Sequence, residues 1–559
     1  MTGELSWLGS LKRTYIGNAT ATRDMRIQLR GSRAAVLFST YLVVMTFVLL
    51  WVYQNSLGEE GRYSLATAQN NLQQFYYTTL GSLAVVITLV APSMGAFAIV
   101  SEKQRRSLDL VFSAPTEPKY YLVGKLISSY RYVWLLLVLS LPFCAVSVTL
   151  GGATWSQLFI TFLLYSFYGL VCVSFGLLMS TLCSKALPAI IWTYAALACY
   201  LLITGGFFGV NIASGRGTMA DLNPLVSLFP ASYSFVADQT WSVFGRDIPT
   251  WILSILVHLV VVKFIILAAG SMLAPGNSKE IRGLRIHGLV YVAVITCLIA
   301  LAITPFLQQA MSSGLSLGNA QLLHGRALFA ILLALGIMIV PYLASFGIND
   351  LRRHRPDGIF KVRETFSGKP SGNLPYLILL FVSTVIAFII GASYAATGAT
   401  TVLPFSSSGT SAPPPTPISP DLKPLSGQFL MYIYLALSIW MVAFFLGWLG
   451  VSRKPILSRG RTLSLFFFVL GLILPTALFA ILASEDSRTA TGIWLLNPVA
   501  GVICDLSSAG ITGFHATVLF LFAVLLITVT VPNVMKQSHQ SFEPRSEDPH
   551  DSNQKIPAI

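Results

Sequence analysis

The chain has 559 residues, of which 54% are hydrophobic and only 10% charged, and its mean hydropathy is +0.71. Soluble domains carry about 25% charged residues, so a water-soluble enzyme of this length is excluded. The 36 Lys and Arg against 22 Asp and Glu give a formal charge of +14, but the charges sit in short segments between long apolar runs, a placement that argues against nucleic acid as a partner.

A hydrocarbon layer about 30 Å thick takes roughly 20 apolar residues per helix. Runs of that length predict spans at 34–53, 76–100, 132–150, 158–183, 189–208, 251–274, 288–308, 327–346, 375–396, 429–450, 462–484 and 515–533. With a cytoplasmic amino terminus, the cytoplasmic segments hold 29 of the 36 Lys and Arg and the external loops hold 6, Lys263 lying within a span. Short cytoplasmic loops carry such an excess, so both termini are expected in the cytoplasm. The expected fold class is all-α, a polytopic membrane protein of about 12 transmembrane helices. The first 33 residues lack the early apolar stretch of a cleavable signal, and the first span is expected to direct insertion. Cys144, Cys172, Cys183, Cys199, Cys297 and Cys504 show no CxxC or Cys/His spacing, so neither a disulfide framework nor a metal site follows.

In chain order, 1–33 forms a cytoplasmic region in which Arg23, Arg26, Arg30 and Arg33 recur at helical spacing, as in a helix lying at the membrane interface. Two readings stand for it: it transmits force to the first span, or its arginines only fix orientation. The first half, 34–274, holds six spans. Its first large cytoplasmic loop runs from Ser101 through Glu102, Arg105, Arg106, Leu108, Asp109 and Pro115 to Gly124-Lys125. A short charged helix, a Pro-bounded turn and a second amphipathic helix are expected there. They form either a rigid knob for a partner protein or an ordinary solvated loop.

Before the sixth span an external loop contains Leu222-Asn223-Pro224-Leu225. The sixth span holds both His258 and Lys263, and intramembrane ionisable groups are functional candidates by default. Five residues separate them, about 140° around a helix, so they do not make one ligand site. Lys263 either faces a substrate path or packs and snorkels toward the cytoplasm.

A basic connector, 275–287, opens with Pro275-Gly276-Asn277 and divides the chain into two sets of six spans. The second half, 288–533, repeats the external motif as Leu496-Asn497-Pro498-Val499 before its last span. Two such halves resemble a fused pseudo-dimer; a shared turn dipeptide is the other explanation. The external stretch 397–428, with Pro413-Pro414-Pro415, reads as a linker. The polar cytoplasmic tail 534–559 reads as disordered.

The residues Glu102, Leu108-Asp109-Leu110, Ser113-Ala114-Pro115 and Gly124-Lys125-Leu126, with Arg30-Gly31-Ser32-Arg33 before and Asn223-Pro224 after them, resemble the permease subunit of ABC-2 type ATP-binding cassette transporters. The resemblance covers about residues 18–274; the second half shares only its span count and Asn497-Pro498. It implies a membrane unit, in an exporter, that moves substrate with energy from a separate cytoplasmic ABC ATPase. The loop Glu102 to Pro115 would couple to that ATPase, Arg23 to Arg33 would be the interface helix, and Asn223-Pro224 would lie in an external re-entrant region. ATP and Mg would be bound by the partner and no cofactor or metal by this chain. A bacterial inner (plasma) membrane location, contact with lipid and pairing with a second copy as a homodimer are further implications. Arg106-Ser107 departs from the family's usual Gly-Thr pair, and the second-half loop Asn349 to Gly358 lacks the Glu, Pro and Gly-Lys pattern.

The spacing G-x-x-x-x-G-K-[ST] of a phosphate-binding loop is met at neither Gly124-Lys125 nor Gly368-Lys369. The chain is therefore expected to be no enzyme, having no nucleotide-binding motif of its own. His287, His324, His354, His515, His539 and His550 are scattered without a catalytic spacing, so no catalytic residue is assigned. An ion-coupled secondary transporter is the rival reading, weakened because no carboxylate lies centrally in a span. A membrane assembly protein without transport activity is the third.

Overall fold

The computed structural model describes residues 18–29, 32–57, 65–108, 118–149, 153–212, 223, 240–243, 246–273, 278–312, 340–341, 344, 362–367 and 372–396. Expected spans ten to twelve, nearly all of span eight, the linker 397–428 and the tail 534–559 lie outside the described residues. The chain divides into two compact units. One comprises Met1–Ser345, Phe366–Gly368 and Leu379–Leu430; the other comprises Phe346–Thr365, Lys369–Ile378 and Met431–Ile559. In the second unit the described residues are 362–365, which include the 3-10 turn Val362–Glu364, and 372–378.

The described chain is nearly all helical: α1 (Ala19–Leu29), α2 (Ser32–Leu57), α3 (Leu65–Gln104), α4 (Pro118–Thr149), α5 (Trp155–Leu182), α6 (Ala186–Ile212), α7 (Thr250–Leu273), α8 (Ser278–Ser312) and α9 (Asn373–Ala396). Among the described residues, five stretches are long and apolar enough to cross a membrane: Tyr76–Gln104, Pro118–Val146, Trp155–Leu182, Thr250–Leu273 and Glu280–Ala300. Shorter apolar helices run over Phe38–Phe47 and Ala186–Leu201. A polytopic membrane protein is the architecture these lengths require.

α5 is the centre of the first unit, with α3, α4, α6 and α7 packed around it. Its start is fixed by a reciprocal cap: the Thr154 hydroxyl accepts from the Gln157 amide at 3.3 Å, and the Gln157 side chain accepts from the Thr154 amide at 3.0 Å. Buried Leu158, Tyr165, Tyr168, Cys172 and Leu177 extend along it. α3 crosses α5 where Gly95 meets Gly176. A Cβ at Gly95 would strike the Val173 carbonyl oxygen, and one at Gly176 the Pro92 carbonyl oxygen, so both positions need the bare glycine backbone. Tyr165 then donates to the Leu80 carbonyl at 3.2 Å, Tyr168 shares a 3.0 Å hydrogen bond with Thr88, and Ser180 Oγ accepts from the amides of Ile99 and Val100 at 3.0 and 2.8 Å.

Between α6 and α7 the chain forms a two-stranded antiparallel hairpin, β1 (Thr240–Val243) and β2 (Arg246–Pro249), in the register Thr240 opposite Pro249 and Val243 opposite Arg246. β2 runs directly into α7. Beyond α7, α8 packs against it with Phe264 stacked on Tyr291, ring centres 4.8 Å apart. Arg285 of α8 is fully buried, and its guanidinium donates to the Ser367 carbonyl at 2.6 Å.

Several boundaries differ from the sequence expectation. α4 begins at Pro118, so the residues expected as a separate amphipathic helix are its first turns and are continuous with the third span. Ser101–Gln104 is the last turn of α3, not a short helix of its own. α8 begins at Ser278, within the expected connector. Similarly, α1 ends at Leu29 and α2 starts at Ser32, so Arg23 and Arg26 belong to one helix and Arg33 to the next. Gly31, a weak helix former, stands between the two helices in the sequence.

Candidate functional site

Three charged residues that the sequence singled out, Arg23, Glu102 and Lys125, meet at the end of the bundle where α3 finishes and α4 begins. Lys125, on α4, lies 2.6 Å from Asp24 Oδ2 on α1 and 2.6 Å from Glu102 Oε1 on α3. Arg23 bonds the same two carboxylates, at 3.1 Å to Asp24 Oδ1 and 3.0 Å to Glu102 Oε1. The Tyr121 hydroxyl donates to the other Glu102 oxygen at 2.5 Å, and its ring lies 5.6 Å from the Lys125 ammonium. Two carboxylates thus face two cations, with a phenol taking a remaining lone pair.

Burial sets the energetic stakes. The side chains of Lys125, Asp24 and Glu102 are 5, 8 and 14% exposed, whereas Arg23 is 53% exposed. Charges withdrawn from water are tolerated only when their partners satisfy them, and Lys125 screens Asp24 and Glu102 from each other. Partial burial lowers the Arg23 pKa, but its hydrogen bond to Asp24 and the charges of Asp24 and Glu102 outweigh that and leave it raised.

Backbone contacts fix α1 to α4. The Asn18 side chain caps α1 by accepting from the amides of Thr20 and Ala21 at 3.1 and 3.3 Å. Its amide nitrogen donates to the Tyr120 carbonyl at 3.0 Å, while the Ala19 amide donates to the Tyr120 hydroxyl at 3.1 Å. Gly124 faces this cap directly: a Cβ there would sit 2.5 Å from Asn18 Oδ1 and 2.9 Å from Thr20 Cβ. Gly124-Lys125 therefore works as a unit, the glycine admitting α1 and the lysine binding it.

The end of α3 is tied on its other side as well. The Lys103 ammonium donates to the carbonyls of Ser180, Thr181 and Cys183 at 3.2, 2.5 and 3.2 Å, which neutralises the otherwise unmatched acceptors at the α5 terminus. α3 itself closes with the Ser107 amide donating to Glu102 O and the Arg106 amide to Lys103 O, both at 3.1 Å. This paired pattern places Arg106 in the left-handed C′ position that glycine usually fills, and Arg106 has φ 54°. For a residue with a Cβ that conformation costs about 1–2 kcal/mol.

Among the residues named from sequence, Arg23, Glu102 and Lys125 meet in the cluster, and Gly124 abuts it. Arg105 and Arg106 are exposed beside it, Leu108 packs partly buried against the core, and Arg26 lies on α1. Arg33 stands at the start of α2, away from the α1 run. Arg30, Asp109, Pro115, Pro224, Asn497 and Pro498 lie outside the described residues. Asn223 is buried and donates to the Leu201 carbonyl of α6 at 3.1 Å.

The two ionisable groups of α7 separate as their spacing requires. His258 is buried, with Nδ1 2.6 Å from the Ser254 carbonyl and Nε2 3.5 Å from the Tyr200 hydroxyl. Lys263 is exposed on the outer face of α7, in line with exposed Ile252, Leu256 and Leu259. Asp24, Tyr121, Asn18 and Lys103 complete the site and were not singled out from sequence. Asp24, the lone acid among four arginines between residues 23 and 33, was the available signal.

Residues 53–272 match the model of a family described as ABC-2 family transporter protein. That stretch runs from the end of α2 to the end of α7 and holds Glu102, Lys103, Tyr121, Gly124 and Lys125. No curated protein and no solved structure matches the chain.

Proposed function

We propose, on the premise that residues 53–272 form an ABC-2 type permease region, that the chain is the membrane subunit of an ATP-driven exporter energised by a separate ABC ATPase. The observation that carries the coupling reading is the convergence of α1, α3 and α4 on Glu102 and Lys125. A loop that only marked topology would need no such buried ion cluster. ATP and Mg belong to the partner, whose closure would press on the last turn of α3.

In this reading the Asp24 end of the bundle is cytoplasmic, as are both termini, and the chain lies in a bacterial inner membrane as two six-span halves. The loop from Glu102 to Pro115 receives the push. Glu102 and Lys125 then carry it to α1 and α4, and Lys103 carries it to α5. Asn223, held to α6, belongs to the external re-entrant region, and Asn497-Pro498 to its counterpart in the second half. Lipid surrounds the outer faces. A single chain with two ATPases, or two copies of the chain, would complete the transporter.

The test is a mild-detergent pull-down of the tagged chain, with mass identification of its partners and an ATPase assay of the complex. A co-purifying ATPase whose recovery falls in Glu102→Ala and in a Ser113–Pro115 deletion is the expected result. Recovery of a folded wild-type chain without any ATPase would overturn the proposal.

A further inference from the structure

Away from the Asp24 end, the core between α2, α3, α4 and α5 holds a second group of polar side chains. Tyr41 of α2 and Tyr76 of α3 are 5 and 1% exposed, and neither hydroxyl has a hydrogen-bond partner among the described residues. Tyr41 stands beside Ser140 and Tyr76 beside Thr161, and Cys144 lies near both. Ser140, Cys144 and Thr161 are themselves buried.

The hydroxyl protons of Ser140 and Thr161 are already committed, to the Leu137 carbonyl at 2.7 Å and the Gln157 carbonyl at 2.8 Å. Each place thus sets a phenol proton in need of an acceptor next to a hydroxyl oxygen that still has a lone pair. The bundle is able to satisfy a phenol elsewhere: Tyr165, one turn beyond Thr161 on α5 and 1% exposed, donates to the Leu80 carbonyl at 3.2 Å. A buried hydroxyl without a partner is costly, and two in one region call for a molecule that satisfies them. A carbonyl group would answer only the phenol, whereas water both accepts from the phenol and donates to the hydroxyl.

We infer that water is held at two sites in this core, one between Tyr76 and Thr161 and one between Tyr41 and Ser140, with Cys144 near both. Buried water makes about three hydrogen bonds, and the phenol, the hydroxyl and the weakly bonding thiol are on hand. Water would enter where α4 finishes and α5 begins. Thr161 is six residues from Trp155 and Cys144 five from Thr149, about 9 and 8 Å along their helices, so the Tyr76 site lies close to that mouth. Hydration of this core does not depend on whether the chain couples to an ATPase.

The full-length chain in lipid nanodiscs is exposed to synchrotron X-rays, which convert bound water to hydroxyl radicals, with an alcohol present to remove radicals formed in bulk solvent. Oxidised side chains are then read by mass spectrometry. Tyr41 and Tyr76 are expected to be oxidised severalfold more than Tyr165, which is as deeply buried but partnered. Y41F and Y76F are each expected to lower the thermal midpoint, since each removes a bond to water. Oxidation of Tyr41 and Tyr76 no greater than that of Tyr165 would overturn the inference, whatever the stability of the variants. A raised midpoint in both Phe variants would do so too, because a dry core gains when an unpartnered hydroxyl is removed. Oxidation of Tyr76 without Tyr41 would overturn the inner site.

Discussion

Glu102 and Lys103 are consecutive on α3 yet bind in different directions. The Glu102 carboxylate holds Lys125 and Arg23, while the Lys103 ammonium holds three carbonyls at the end of α5. The last turn of α3 is therefore a junction of four helices. A displacement there cannot be absorbed by one neighbour alone, which is the property a coupling element needs.

Replacing Lys125 with Met keeps the side-chain length but leaves Asp24 and Glu102 bridged only by the half-exposed Arg23. Breaking a buried ion pair in this way costs about 3–5 kcal/mol. A marked fall in thermal midpoint is expected, with substantial recovery in the triple variant Asp24→Asn, Glu102→Gln, Lys125→Met. A single variant as stable as wild type would show that the cluster contributes nothing to the fold.

Gly124→Ala places a methyl group against Asn18 Oδ1 and Thr20. α1 is expected to lift from α4 while the spans remain inserted. Faster hydrogen exchange at the Thr20 and Ala21 amides, which Asn18 caps, would report it. Asn18→Ala should produce the same change, losing about 1 kcal/mol of cap. Unaltered exchange in both variants would mean that α1 is held some other way.

At the Gly95–Gly176 crossing the obstruction is backbone, not a movable side chain. Gly95→Ala is therefore expected to force α3 and α5 apart, lowering the yield of monodisperse protein more than Gly283→Ala does. Gly283 is the control because its nearest outside atom, on Leu267, would be 4.0 Å from a new Cβ. Equal yields for the two variants would contradict a tight crossing.

Lys263 shares the exposed face of α7 with Ile252, Leu256 and Leu259. A cation there costs at least about 2.5–3.5 kcal/mol on insertion scales. Lys263→Met is expected to raise the thermal midpoint without reducing ATPase recovery. A lower midpoint would reveal that the ammonium is bound to something the described residues do not include.

The apolar runs made the membrane class and several spans legible, because length and hydropathy answer directly to bilayer thickness. The start of α4 escaped that signal. Lys119, Lys125, Ser128, Ser129 and Arg131 make 118–131 look like loop, but Lys125 is neutralised by carboxylates on two other helices and the Ser128 hydroxyl donates to the Lys125 carbonyl. Hydropathy counts a charge as exposed; it has no means of seeing a partner 101 residues away. The Glu102 and Gly-Lys elements of the site stood out as a pattern, whereas Asp24, Tyr121 and Lys103 acquired their roles only from packing. The Arg106 position shows the converse: the departure from Gly was visible in the sequence, and its meaning required the backbone angle.

The crossing at Gly95 divides the 40-residue α3 into unequal arms. At 1.5 Å per residue they measure about 14 Å toward Gln104 and about 45 Å toward Leu65. Turning as one piece about that fulcrum, α3 would magnify a small stroke near Glu102 roughly threefold at its far end. Spin-label distances from Leu65 to α5, with and without nucleotide on the ATPase, would measure that gain, and an unmoved far end would show that Pro92 bends instead. On the proposed exporter reading, α3 turning about that crossing would act as a lever, with a short, forceful input at the ionic junction and a wide swing at its Leu65 end.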